Sequence, residues 1–441
     1  MKDIIHLKAP GNWINDPNGF IYYNGNYHLF YQHFPYAPRW GTMHWGHAVS
    51  KDMVDWEHKE IALFPTKYED QNGCFSGSAL EHDGHMYIYF TGVHYNKPDP
   101  DDIHMCLDDE LESSQMMMVS EDGFQFDNFN GKKVIIPPIT DKKIGDTAHT
   151  RDPKVWRGKD AWYMVLGSKG ETGNGKLLIY RSENLSEWTM VNSVEKEGLG
   201  YMWECPDYFE TEGGKVLLFS PMGLINDGKR YAEQSICMNV EFDEETCTMN
   251  LPEEYQFLDY GQDLYAPQST LDEEGRRTVI AWMRMPEAVD GRWNGMFCIP
   301  RVVEVEDGHI YFRPHPNVGK QFCRRIESPV EAETAGYRVS FDLKDGESVN
   351  IGGYKIFRKG NRICTDRSEV FCDCDNYRMQ FSTPEVKEGY SLDVYVDDNL
   401  IEVFVNNGEY VISNVVYGLK KEIIADHMDE ITIFTLNDTR R

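Results

Sequence analysis

Five times along this chain of 441 residues the same order recurs: a short apolar strand, a turn built on Gly, Asn or Asp, and a strand rich in aromatic and β-branched residues. The units are Gly19–Tyr23 with Tyr27–Tyr31, Gly77–Leu80 with His85–Phe90, Lys154–Trp156 with Trp162–Leu166, Asp207–Phe209 with Lys215–Phe219, and Ser269–Leu271 with Thr278–Trp282. Turns such as Asn24-Gly25-Asn26 and Asp83-Gly84 between such strands are hairpin signals. The starts recur roughly every 50 to 75 residues, within reach of a four-stranded propeller blade once loops are added. No long amphipathic helical period is present. The expectation is an all-β chain whose first 310 or so residues form a propeller of five blades. A pair of generic β-sandwiches is the alternative, disfavoured because the motif residues below fall at the same point of their repeats.

After Arg313-Pro314-His315-Pro316 the strands shorten. Apolar and polar positions alternate in Leu392–Asp397, a turn follows at Asp397-Asp398-Asn399, and Leu400–Val405 closes a hairpin of the β-sandwich kind. The expected organisation is a five-bladed β-propeller over residues 1–315, a linker over 316–330, and a C-terminal β-sandwich over 331–441. The stretch 96–114, with Pro98, Pro100 and seven acids, reads as a solvated loop.

Carboxylates mark the repeats. Asp16 lies in Trp13-Ile14-Asn15-Asp16-Pro17-Asn18-Gly19, Asp152 in Arg151-Asp152-Pro153, and Glu204 in Trp203-Glu204-Cys205-Pro206-Asp207. Each opens a hairpin unit, and in a propeller that point is the axial end of the innermost strand. Acids far apart in sequence then converge on one pocket. Convergent carboxylates in differing environments are what acid–base and nucleophilic chemistry on a glycosidic bond needs. Taken singly, each Asp before Pro reads equally well as a turn residue. Taken with the repeat, that reading loses most of its weight.

A net charge of −29 argues against nucleic acid or an anionic membrane as a partner, since both are bound by clustered Lys and Arg. No apolar run is long enough to span a bilayer, and Met1–Leu7 lacks the apolar core of a secretory signal. The ten cysteines show no secreted-scaffold spacing, so reduced thiols and a cytoplasmic location are expected. Cys372-Asp373-Cys374 lacks the further Cys or His of a zinc site, and His44 and His47 lack a third ligand; no metal is expected.

With these motifs in place, the chain resembles the invertase-like glycoside hydrolases of family 32 over nearly its whole length. Trp13–Gly19 is similar to that family's nucleophile motif, with Ile14 where Met is commoner. Cys74-Phe75-Ser76-Gly77-Ser78-Ala79 resembles its substrate-wall motif, and Arg151-Asp152-Pro153 and Glu204-Cys205-Pro206-Asp207 its other acidic motifs. Tyr265-Ala266-Pro267-Gln268, Trp293-Asn294-Gly295 and Pro300-Arg301 resemble its fifth blade, and Ile401-Glu402-Val403-Phe404 its sandwich. The resemblance implies hydrolysis of β-fructofuranosidic bonds with retention and without a cofactor. Asp16 would be the nucleophile, Glu204 the general acid and then base, and Asp152 the carboxylate that holds the fructosyl hydroxyls. It favours Asn15, Gln32, Trp40, Phe75, Ser76, Arg151 and Trp293 as substrate contacts, and leaves Trp56 to the core. Trp203 and Cys205, flanking Glu204, are compatible with the less polar surroundings an acid needs.

The expected partner is a small fructoside: sucrose, sucrose 6-phosphate or a short fructo-oligosaccharide. A phosphate would need local cations, for which Arg39, His44 and Lys51 are candidates. A fructosyltransferase, an inverting hydrolase of arabinan or xylan, and a non-catalytic fructan-binding protein are the rivals. The inverting reading is opposed by the sandwich motif, and the binding protein by retention of all three acids. The sandwich offers a packing surface for a homo-oligomer.

Overall fold

The computed structural model describes residues 5–332 and 336–436; Met1 to Ile4, at the start of the expected propeller, lie outside them. The five expected hairpins are each the inner pair of a separate antiparallel sheet. Blade 1 runs outward through Asn12–Tyr23, Asn26–Phe34, His44–Ser50 and Trp56–His58, and blade 2 through Cys74–His82, His85–Tyr95, Leu111–Ser120 and Lys133–Ile136. Blade 3 comprises Arg151–Arg157, Trp162–Lys169, Gly175–Ser182 and Thr189–Glu195. Blade 4 comprises Met202–Thr211, Gly214–Met222, Ile236–Asn239 and Gln256–Phe257. Blade 5 uses Leu264–Leu271, Arg277–Met283, Arg301–Glu306 and His309–Pro314. Trp293–Asn294 then pairs in parallel with Asn12 and Trp13, tying the last blade to the first.

Two sheets follow, one of six strands and one of five, whose inner faces share a core of Val339, Ile356, Val394, Ile401 and Val403. Phe322–Ile326 lies inside the stretch read as a linker, yet it pairs with Thr432–Leu436 as an edge strand of the six-stranded sheet. Leu400–Val405 is buried along its whole length. Its alternate residues serve two cores: Ile401, Val403 and Val405 point into the sandwich, while Leu400 and Phe404 join the propeller's cluster. Glu402 shares that second face and meets Arg301 of blade 5 at 2.6 Å. Two sequence motifs 101 residues apart are thus halves of one buried ion pair.

The reduced state expected for all cysteines does not hold at Cys372 and Cys374, which are joined as a disulfide. Their Cα atoms lie 5.3 Å apart, inside the span a disulfide bridges.

Candidate active site

Each innermost strand breaks register at its axial end. The shifts fall between Ile14 and Pro17, Phe75 and Gly77, Glu204 and Asp207, and Tyr265 and Gln268, and in blade 3 between Val165 and Gly167, opposite Arg151–Lys154. A bulge turns a side chain out of the alternating pattern and toward the axis. Four of the five strands carry proline there (Pro17, Pro153, Pro206 and Pro267), and proline, having no N–H, is tolerated where the ladder is interrupted. Asp152, Cys205 and Ala266 take left-handed φ of 66°, 50° and 51° at these bulges. Gly167 lets blade 3 approach blade 4 behind the site, since a Cβ there would lie 1.7 Å from the Trp203 carbonyl oxygen.

The bulges open on a cavity of about 410 Å³ lined by Asp16, Asp152 and Glu204. Asp16 accepts from the Ser76 hydroxyl at 2.5 Å and from the Asn15 amide at 3.1 Å. Asn15 is oriented in turn by the Trp13 indole N–H at 2.8 Å. Asp152 accepts from the Cys205 backbone N–H at 2.8 Å. The Cys205 thiol lies 3.4 Å from Asp16 and 3.6 Å from Asp152, between the two acids. Glu204 uses both oxygens, one on the Arg151 guanidinium at 2.7 Å and the other on the Tyr265 hydroxyl at 2.6 Å.

Burial raises the pKa of Asp16, as does the charge of Glu204, while Ser76 and Asn15 oppose the shift. Asp152 is pushed up to about 7, first by burial and then by Glu204 and Asp16, against the pull of Arg151. Asp152 therefore keeps a share of its proton near neutral pH, and because its charge interacts with that of Asp16 the titration belongs to the pair rather than to one residue.

The cavity also takes in Asn15, Gln32, Trp40, Phe75, Ser76 and Arg151 of the sequence reading. Gln32 donates to the Cys74 carbonyl oxygen at 2.9 Å, and the Trp40 and Phe75 rings meet edge to face at 5.9 Å. Trp293 is not among the lining residues: its backbone closes the propeller against Asn12, and Lys8 lies 5.9 Å from its ring. Trp282 takes that place in the lining. Trp203 does not face the acid either. It is fully buried in the core cluster of blades 3 and 4 and donates to the Leu199 carbonyl oxygen.

The stretch read as a solvated loop supplies Met105, Cys106, Asp109 and Leu111 to the cavity wall, and its last residues begin the third strand of blade 2. Sequence reasoning also missed His149, Met222 and Tyr265 as lining residues. For Tyr265 a signal existed, because Ala266-Pro267 repeats the Xaa-Pro bulge of the acidic motifs.

One step along the axis, Asn18, Ser78, Lys154, Asp207 and Gln268 cross-link the inner strands. Lys154 bonds Asp207 at 3.0 Å and the Ser269 carbonyl oxygen at 2.9 Å, while Gln268 accepts from Phe20 N–H and donates to the Gly77 carbonyl oxygen, each at 2.8 Å. Ser78 donates to the Pro153 carbonyl oxygen at 2.7 Å, and Asn18 accepts from Gly77 N–H at 3.2 Å. This belt fixes the strand ends that carry the acids.

Three acids at the axial mouth of a propeller are the convergent carboxylates that acid–base and nucleophilic chemistry on a glycosidic bond needs. Residues 6–314 match the model of the glycosyl hydrolases family 32 N-terminal domain, and residues 313–436 that of the family's C-terminal domain. The chain is 35% identical to a raffinose invertase of Escherichia coli, over 94% of this chain and 89% of that one. It is 34% identical to a sucrose-6-phosphate hydrolase of Bacillus subtilis, over 92% and 87%. Among solved structures, a β-fructofuranosidase variant of Bombyx mori in complex with sucrose superposes with a TM-score of 0.83 at 29% identity, covering 98% of this chain and 93% of that one. The chain belongs to glycosyl hydrolases family 32.

Proposed function

We propose that this chain is a retaining β-fructofuranosidase acting on sucrose and related small β-fructosides. The observation that carries the reading is the gathering of Asp16, Asp152 and Glu204, from three different blades, in one cavity with unequal partners. Asp16, held by Ser76 and Asn15, attacks the anomeric C2 of the fructosyl unit as the bond from C2 to the leaving oxygen breaks. Glu204 gives that oxygen its proton, leaving a fructosyl ester on Asp16. Glu204 then takes a proton from water, the oxygen of that water attacks C2, and the bond to Asp16 breaks. Two inversions give net retention. Arg151 and Tyr265 orient Glu204 and stabilise its carboxylate between the steps. Asp152 accepts hydrogen bonds from hydroxyls of the fructosyl ring as positive charge develops at C2. The similarity to a raffinose invertase and to a sucrose-bound β-fructofuranosidase supports the substrate class.

The test is the anomer first released from sucrose, followed by NMR before mutarotation. β-Fructofuranose should appear first. Initial release of the α-anomer would overturn retention and the nucleophile assigned to Asp16.

A further inference from the structure

We infer that the cavity selects a neutral leaving-group sugar over one that carries phosphate, with Asp109 as the repelling residue. The inference rests on the reading above, in which Glu204 protonates the leaving oxygen, so that the leaving sugar occupies the space beside Glu204 toward the mouth. What lines that side is Arg151, His149, Asp109 and Met222.

Arg151 is committed. One nitrogen donates to Glu204 at 2.7 Å, and the other lies 3.2 Å from His149 Nδ1. A guanidinium has only donors, so Nδ1 must accept, and the imidazole is neutral with its proton on Nε2. Burial and the Arg151 charge favour that neutral form as well. Nε2 faces Asp109 at 3.5 Å. The run from Glu204 through Arg151 and His149 therefore ends at the mouth on a carboxylate. A phosphate monoester of charge about −1.5 to −2 placed there meets negative charge, and the one arginine lining the cavity among the described residues is already committed to Glu204.

The phosphate candidates of the sequence reading and the cations of the 96–114 stretch do not change this balance. Arg39 pairs with Asp102 at 2.9 Å, and Lys97 pairs with Asp108 and lies 3.8 Å from Glu110. Lys51 donates to the Gly25 carbonyl oxygen at the far end of blade 1, where Ser50 pairs with Tyr27. His44 bonds the Thr42 carbonyl oxygen, and burial holds its pKa at about 4, so it is neutral. The three phosphate candidates of the sequence reading are thus paired, distant or uncharged. Lys169 lies 5.7 Å from the Tyr201 ring centre and acts on His149 through its charge, which makes it the cation to test against the inference. The −29 charge of the whole chain adds no long-range attraction for an anion.

The experiment measures kcat/KM on sucrose and sucrose 6-phosphate in parallel, for the intact protein and for Asp109→Asn, at low and at high salt. The intact protein should favour sucrose by about tenfold or more, equivalent to ~1.4 kcal/mol. Asp109→Asn should move the ratio toward the phosphate by about threefold or more. Added salt should move the intact protein's ratio the same way, because it screens repulsion. Equal or better use of the phosphate by the intact protein overturns the inference, as does a ratio that Asp109→Asn leaves unmoved. A phosphate preference that salt weakens and Lys169→Gln abolishes would overturn it in favour of a cationic site at Lys169. Failure to cleave any β-fructoside would bring down the parent reading instead, which separates the two.

Discussion

Where the sandwich meets the propeller, two buried carboxylates each face two basic groups: Asp397 has His6 at 3.0 Å and Lys8 at 2.9 Å, and Glu402 has His6 at 2.8 Å and Arg301 at 2.6 Å. In the cavity the acids Asp16, Asp152 and Glu204 share Arg151. Both regions bury their acids, and desolvation by itself pushes the pKa values of Asp397, Glu402, Asp16 and Asp152 up. At Asp397 and Glu402 the cations win and both are held below the usual carboxylate range, whereas at Asp259 and Asp263 of the same interface, paired with Arg301 and Arg367, burial wins and raises them. In the cavity burial wins for Asp16 and Asp152. The difference lies in the ratio of partners rather than in the residue type. One arrangement locks two domains together, and the other keeps protons exchangeable at neutral pH.

That contrast can be broken by substitutions chosen on each side. The largest effect is expected at the cavity: Asp16→Asn should lower kcat on sucrose by at least about 10⁴-fold with the fold intact. Circular dichroism and steady-state rates check both halves, and appreciable turnover, once deamidation is excluded, would remove Asp16 as nucleophile. At the interface, Glu402→Ala takes one of two carboxylates from Arg301 and from His6, leaving Asp259 and Asp397 to face them, and removes the acceptor of the Ile299 N–H. It should cost about 3 to 5 kcal/mol of stability in denaturant titration while kcat per folded molecule holds. A loss below ~1 kcal/mol would show that the network contributes little.

Asp152 gives the sharper comparison, because removing a buried acid there should stabilise the protein. Its folded pKa of about 7 lies above the unfolded value of 3.8. The stability it contributes is therefore complete below about pH 4 and is lost as pH rises through 7. Asp152→Asn keeps the neutral form at every pH. Relative to the parent it should gain about 1 to 3 kcal/mol at pH 8, little at pH 4, and lose most of its activity. A variant destabilised equally at both pH values would contradict this. The smallest effect separates two tryptophans: Trp282→Ala should raise KM for sucrose several-fold, whereas Trp293→Ala should leave kcat/KM within about twofold once folded protein is counted.

Much of the fold is legible in local pattern. The hairpins could be read because turn residues such as Asn24-Gly25 and Asp83-Gly84 and the strands beside them carry their own preferences. The acids could be located because Asp16, Asp152 and Glu204 stand at matching points of their repeats. Phe322–Ile326 escaped because an edge strand facing water on one side, with Arg324 and Arg325 in it, has no apolar run to announce it. The 96–114 stretch escaped because Pro98, Pro100 and its acids do describe a polar loop, and nothing local says that it folds back over the mouth.

The sequence by itself determined the number of blades, the sandwich and which acids stand at the strand ends, since these depend on turn chemistry, period-two patterning and repetition. Only the tertiary structure decided which tryptophan lines the cavity, that Tyr265 and Arg151 converge on Glu204 from blades 5 and 3, and that Arg301 and Glu402 pair between domains. Those outcomes depend on distances between residues 50 to 100 or more positions apart, set by how the ring closes and how its strands bulge, and no local preference encodes them.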